Sequence, residues 1–266
     1  MRIRISVYAF AFLVAGSLAR PAGAQFAVQK ASPEDYHVEI GVASWKPSPD
    51  LTLRTGAGGT DVDLVGAFGI EGKSFTDFRL VMKPGRKHKI RVEYLPITYS
   101  KDAVLNRTFT LGGATYAVNV PASVSLDWKL WQFGYEWDAV SSDYGFVGVI
   151  AEVQYNQVKA SLSSAALNIS SSTNTAAPVP AVGGIFRGYV LPRRVSFTVE
   201  ITGIKIPDRA NFQGRLVDYD VYGLVNLGTH LGIQAGYHSL DVRYLVDTDA
   251  GTLKMKGPYI GGSLRF

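Results

Sequence analysis

The sequence predicts an all-β chain folded as an antiparallel up-and-down transmembrane β-barrel of about ten strands, and three observations predict it. Short segments along most of the chain alternate apolar and polar residues with period two, the mark of strands with two unlike faces. Beyond the N-terminus no apolar run approaches the roughly 18 residues of a spanning helix, so a chain of this kind embedded in a membrane has only the closed barrel open to it. Connections between the segments alternate short and long, as when tight turns on one side of a membrane alternate with longer loops on the other.

The N-terminus carries Arg2 and Arg4, an apolar run from Ile5 to about Ala19, and Ala22-Gly23-Ala24 before Gln25. This is the pattern of a secretory signal peptide, residues 1–24. A short periplasmic lead-in over 25–35 and a barrel domain over 36–266 are expected to follow. The formal charge of +5 owes most to Arg2, Arg4 and Arg20, so the mature chain is nearly neutral. With charge so balanced and dispersed, nucleic-acid binding is not expected. The chain has no cysteine, which excludes a disulfide framework, thiolate metal sites and a cysteine nucleophile.

The first strand sets Val38, Ile40 and Val42 against His37, Glu39 and Gly41, and ends at Trp45. A polar, glycine-rich interval from Lys46 to about Phe75 carries no clear pattern. The second strand has Phe78, Leu80 and Met82 opposite Arg79 and Lys83, and Pro84-Gly85 turns the chain. The third answers with Ile90, Val92 and Tyr94 against Lys89, Arg91 and Glu93. Ser100 to Ser123 reads as a loop with a small hairpin around Leu111-Gly112-Gly113-Ala114. The fourth strand places Trp131, Phe133, Tyr135 and Trp137 on one parity, a set that no strand facing water would carry. The fifth opposes Val147, Val149, Val153 and Tyr155 to Gly148, Glu152 and Gln154.

Ser161 to Ala181 is rich in Ser, Thr, Ala and Asn and reads as a mobile loop. A faint sixth strand over about Val182 to Val190 puts Arg187 on the inner parity. The seventh has Val195, Phe197, Val199 and Ile201 opposite Thr198 and Glu200, with a loop expected from about Pro207. The eighth sets Tyr219, Val221 and Val225 against Asp218 and Asp220, and the ninth Leu231, Ile233 and Tyr237 against Gln234 and His238. After a loop around Asp247 to Gly251 the tenth runs to the final residue, with Pro258, Ile260, Leu264 and Phe266 on one face. Eight or twelve strands stay open as alternatives, because the sixth is faint and the interval after Lys46 is unassigned.

The closing strand, Gly257-Pro258-Tyr259-Ile260-Gly261-Gly262-Ser263-Leu264-Arg265-Phe266, resembles the C-terminal signal of bacterial outer-membrane barrels. Together with Trp131-Gln132-Phe133-Gly134-Tyr135-Glu136-Trp137 and Gly236-Tyr237-His238-Ser239-Leu240-Asp241-Val242, it is similar to small Gram-negative outer-membrane barrels of the OmpA and OmpW type. The resemblance implies residence in the bacterial outer membrane, contact with its lipid and lipopolysaccharide, and delivery to the barrel-assembly machinery through the strand ending at Phe266. Aromatic girdles at the two lipid interfaces are expected from Tyr94, Tyr155, Tyr219 and Tyr237 at the long-loop ends and from Phe133, Tyr135, Trp137 and Phe266 at the short-turn ends.

The lumen of such a barrel would be lined by Arg79, Lys89, Arg91, Glu93, Glu136, Glu152, Arg187, Glu200, Asp218 and Asp220. Charges of both signs in a narrow enclosed space must pair or hold water, so the expected function is structural or that of a narrow passive pore for ions or small polar solutes. A surface adhesion or binding barrel acting through external loops is one alternative, and a lipid-modifying enzyme another. For the enzyme, adjacent His238 and Ser239 point to opposite faces of one strand, and the His-x-Ser spacing of deacylase barrels is missing. His37 stands alone on the inner parity, and His88 and His230 lie in or beside turns. No catalytic residue, metal site or cofactor is therefore expected.

Overall fold

The computed structural model describes residues 34–266 apart from 55, 57, 112, 193, 210, 211 and 247. The expected signal peptide and the lead-in before Glu34 lie outside the described residues. The strands are β1 (Val38–Trp45), β2 (Ser48–Arg54), β3 (Val62–Asp63), β4 (Phe75–Gly85), β5 (His88–Val104), β6 (Phe109–Leu111), β7 (Ala114–Tyr116), β8 (Pro121–Ser142), β9 (Gly145–Ser164), β10 (Ile169–Leu191), β11 (Val195–Arg209), β12 (Phe212–Asn226), β13 (Leu231–Val246) and β14 (Asp249–Arg265), with one short helix, α1 (Leu64–Phe68).

Ten strands, β1, β4, β5 and β8 to β14, pair antiparallel in chain order and close where β1 meets β14. Closure leaves no unpaired edge in the ring. The seam runs from Glu39 opposite Arg265 to Trp45 opposite Tyr259. It then continues in the same register along β2, where Ser48 faces Lys256. The last residue takes part: Phe266 donates its N–H to Val38 O at 2.9 Å and accepts from Val38 N at 3.0 Å. Phe266 is therefore a rung of the barrel wall.

Several expected loops prove to be strand. Ser161 to Ala181 completes β9 and opens β10, which pair from Ile169 opposite Ser164 to Gly188 opposite Gly145. The faint sixth strand thus runs from Ile169 to Leu191. Its first half lies beyond the lipid, where no apolar outer face is required, so nothing in the hydropathy marked it. β11 extends to Arg209, past the loop expected at Pro207, and β14 already begins at Asp249. The alternation of short and long connections is therefore largely one of strands overrunning the barrel at one end.

The unassigned interval after Lys46 holds β2, β3 and α1. Asp63 caps α1, its Oδ1 accepting from Gly66 N at 3.0 Å, and Gly69 closes it in the left-handed region at φ 62°, a conformation glycine adopts without strain. The small hairpin around Leu111 to Ala114 is present as β6 and β7, with Thr110 opposite Thr115.

The faces of the long strands exchange character part-way along. On β5, Lys89, Arg91 and Glu93 point inward while Ile90, Val92 and Tyr94 point outward; from Leu95 on, the inward set is Leu95, Ile97 and Tyr99, all buried, and the outward set includes exposed Thr98 and Ser100. β8 makes the same exchange in reverse chain direction. Its inward Leu126, Trp128 and Leu130 give way to Gln132 and Glu136, and its outward Asp127 and Lys129 give way to Trp131, Phe133, Tyr135 and Trp137. A wall bathed in lipid needs an apolar exterior and tolerates a polar interior, whereas a wall in water needs the opposite. Tyr94, Trp131 and Tyr155 stand directly opposite one another across β5, β8 and β9, and this row marks the crossing.

Above that row the barrel encloses an ordinary apolar core. Trp45, Leu51, Leu95, Trp128, Leu162, Leu240 and Met255 come from the wall, and Leu64 and Phe68 of α1 with Phe109 and Tyr116 of the β6–β7 hairpin close it from the top. The charged lining expected from the sequence occupies only the half of the interior at lipid depth. The signal was available, since Leu95-x-Ile97 and Leu126-x-Trp128-x-Leu130 continue the parity of the charged residues.

Candidate functional site

At lipid depth the inward parity of eight neighbouring strands brings acidic and basic side chains face to face. Arg79 on β4 donates through Nε to Glu93 at 3.0 Å and through an η-nitrogen to Asp220 on β12 at 3.2 Å. β4 and β12 are four strands apart around the ring by the shorter way, so this contact crosses the lumen. Arg91 on β5 does the same, pairing with Glu136 at 3.1 Å and with Glu200 on β11. Gln132 on β8 reaches Asp218 on β12 at 2.9 Å. Lys89 lies 2.7 Å from Glu136. Glu152 accepts from Thr202 at 2.8 Å and from Gln154 at 2.9 Å.

Between these groups the remaining cavity is about 20 Å³, bordered by Arg79, Arg91, Glu93, Glu152, Glu200 and Asp218 among others. That is room for one or two waters. The arrangement is a pairing of fixed charges across a filled barrel, and the apolar core stands on top of it.

Several members of the network lay outside the expected set. Glu34, from the end of the lead-in, is buried in the short-turn end of the barrel, where it pairs with Arg187 and lies 3.3 Å from Lys89 and 3.9 Å from Lys83. Burial alone would raise its carboxyl; Arg187, then Lys89 and Lys83, overcome that and hold it well below the usual carboxylate range. Arg187 also donates to Thr198 at 2.8 Å and Tyr222 at 2.7 Å. Tyr259 donates to Asp220 at 3.0 Å, and Arg265 pairs with Glu39 across the seam. Tyr222, Tyr259 and Arg265 share the inner parity of their strands. Glu34 belongs to no strand, and nothing in its sequence context pointed inward.

His238 Nε2 sits 2.7 Å from Asp218 Oδ1, a geometry that could orient a base. Its ring is buried, however, and lies 4.8 Å from that of Trp45, centroid to centroid. Ser239 points to the other side of β13. His37, expected inside, is exposed at the rim, because the strand begins only at Val38. His88 is exposed and lies 2.6 Å from the Tyr135 hydroxyl, and His230 Nδ1 lies 2.8 Å from Arg265 O.

The outer wall carries Ile40, Val42, Val92, Val147, Val149, Phe197, Ile201, Ile233 and Ile260 on the outward parity. Aromatic rings stand at both margins of this band. Tyr94 stacks on Trp131 with centroids 4.3 Å apart, and Tyr155, Tyr219 and Tyr237 lie at the same margin on their strands; Tyr135, Trp137 and Phe266 lie at the other, each exposed, and Phe133 sits between at 51%. Rings at two levels bounding an aliphatic belt match two membrane interfaces. The chain has the fold of a bacterial outer-membrane β-barrel.

No protein-family model matches the chain, and no curated protein sequence matches it. Solved outer-membrane barrels resemble it in architecture. The outer membrane protease OmpT from Escherichia coli is 9% identical, with 88% of this chain and 97% of that one covered and a TM-score of 0.46. The translocator domain of the autotransporter NalP from Neisseria meningitidis is 12% identical, covers 86% and 88%, and has a TM-score of 0.41. Ail, the attachment invasion locus protein of Yersinia pestis, seen in complex with the heparin analogue sucrose octasulfate, is 10% identical, covers 86% and 99%, and has a TM-score of 0.38. A barrel fold by itself leaves the activity open.

Proposed function

We propose that this outer-membrane barrel is closed and non-conducting, and that its role is structural: it anchors a rigid β-extension above the membrane and displays the surface of that extension. One observation carries the reading. Side chains from opposite walls meet in the lumen, Arg79 with Asp220 at 3.2 Å and Gln132 with Asp218 at 2.9 Å, leaving a cavity of about 20 Å³. A passive pore needs a continuous polar path, whereas here a belt of charges paired across the lumen lies beneath an apolar core. The His238–Asp218 pair supports packing rather than hydrolysis, because Trp45 lies against the ring and the adjacent Ser239 is on the opposite face of β13.

The test is conductance of the refolded protein in a planar bilayer, with insertion checked by heat-modifiable migration. A silent, inserted barrel is expected. Steady conductance altered by Arg91→Ala or Glu93→Ala would overturn the closed reading in favour of a pore.

A further inference from the structure

Directly above the outer aromatic margin, on the lipid-facing parity, three cations stand side by side on three adjacent strands. Lys205 on β11 is opposite Arg215 on β12, and Arg215 is opposite Arg243 on β13. All three are exposed. With strands about 4.8 Å apart, the outer two backbones are about 10 Å from each other, within reach of one ligand. Like charges directly opposite one another are unfavourable. Arg243 is offset by Asp241, which accepts from it at 3.1 and 3.2 Å, but among the described residues neither Lys205 nor Arg215 is ion-paired.

The row extends through Thr252 and Thr52 on β14 and β2. These five residues help line an open cleft of about 720 Å³. Lys254, one step nearer the lipid, stands opposite both Asp241 and Asp50, so it adds little net charge. On the far side of the barrel the equivalent outward cation Lys159 faces Asp127. Arg54 and Asp61, which also line the cleft, stand 3.8 Å apart and offset each other.

Height selects the ligand. Tyr219, at the lipid margin, lies four residues along β12 from Arg215, which is about 13 Å along the strand and about 10 Å along the barrel axis at a typical tilt. Tyrosine rings rest at headgroup level, so the cations stand where phosphates on the sugars of an outer-leaflet glycolipid would be. A lipid already at that level is held against the wall at high effective concentration, an advantage a soluble anion lacks. We propose that Lys205, Arg215 and Arg243 form a binding site for a phosphorylated glycolipid of the outer leaflet. This site is independent of whether the lumen conducts.

The experiment is native mass spectrometry of the protein refolded in neutral detergent and titrated with bis-phosphorylated lipid A, with the dephosphorylated lipid and inorganic phosphate as separate arms. The wild type is expected to retain the phosphorylated lipid, to discriminate against the dephosphorylated one, and to resist millimolar free phosphate. Lys205→Gln/Arg215→Gln/Arg243→Gln should bind about 100-fold more weakly, about fivefold per cation, while Lys129→Gln/Lys159→Gln should bind as wild type. Arg215→Gln alone carries the test if the triple variant fails to migrate as a folded barrel, and Arg215→Lys should keep most of the affinity. Equal retention of the dephosphorylated lipid, undiminished binding by the folded variants, or displacement by free phosphate would each overturn the proposal.

Discussion

Arg79 on β4 reaches across the lumen to Asp220 on β12, Nη to Oδ2 at 3.2 Å, joining residues 141 positions apart in the chain. The same guanidinium holds Glu93 at 3.0 Å. Charges enclosed this way gain from pairing only while every partner is in place, and removing one leaves another buried without its counter-ion. Arg79→Ala is therefore expected to lower unfolding stability by about 3–5 kcal/mol, measured by urea titration in lipid vesicles. Asp220→Ala should cost less than Arg79→Ala, because Glu93 still engages the arginine. A double-mutant cycle should give a coupling of about 1–3 kcal/mol; additivity within error would mean that the contact contributes nothing of its own.

The exchange of faces along β5 makes a second prediction. Val92 and Thr98 share the outward parity, but Val92 lies in the lipid band and Thr98 above it. Val92→Arg should destabilise by about 2–4 kcal/mol, as a cation does near the bilayer midplane. Thr98→Arg should stay within about 0.5 kcal/mol of wild type, as expected of an exposed site in water. The inward parity should behave oppositely: Leu126 on β8, fully buried in the upper core, should not tolerate arginine, although it lies outside the membrane. Equal costs at Val92 and Thr98 would place the crossing elsewhere.

Much of the wall could be read from such parities. Residues 88–94 and 131–137 show both faces plainly, because lipid outside and charge inside are as unlike as two environments can be. Above Tyr94 the rule inverts, and an inverted rule followed across the whole strand looks like the loss of a rule. That is why Ser100 to Ser123 read as a loop although β5 runs to Val104 and β8 starts at Pro121. The partners in the lumen were illegible for a different reason. Parity says that Arg79 and Asp220 face inward, but only ring closure and strand tilt decide which inward groups meet.

The docking of Glu34 gives a pH prediction with a definite sign. Its folded carboxyl is held below the ordinary carboxylate range, so its contribution is fully present above that range and is lost only as pH falls toward the lowered value. A spin label at Asp35→Cys should therefore be equally immobile from pH 7 down to about pH 5, near the unperturbed glutamate range, and should loosen only in stronger acid. With Glu34→Gln added, the label should already be more mobile between pH 7 and pH 5, because Arg187, Lys83 and Lys89 lose their shared counter-ion. A wild-type transition centred on the ordinary carboxylate range would contradict the docked geometry.

The closed reading requires the two halves of the interior to act as seals in series, and breaking them separately tests it. Phe68, on α1, is buried in the upper core with Leu64. Phe68→Ala removes a large side chain from a packed site, a change that costs about 3–5 kcal/mol in well-ordered cores. Here the loss should appear as local release of α1, because the helix is short, is held on one side only by the two-residue strand β3, and returns to the wall through residues 69–74, which pair with no strand. Limited proteolysis should then cut between residues 69 and 75 while the barrel keeps its heat-modifiable migration. Conductance should stay at zero, since the paired belt of Arg79, Arg91, Glu200 and Asp220 still closes the lumen below. Only the combination with Arg79→Ala and Arg91→Ala should open a path. If Phe68→Ala alone conducts, the charged belt is not a seal, and closure rests on the apolar core.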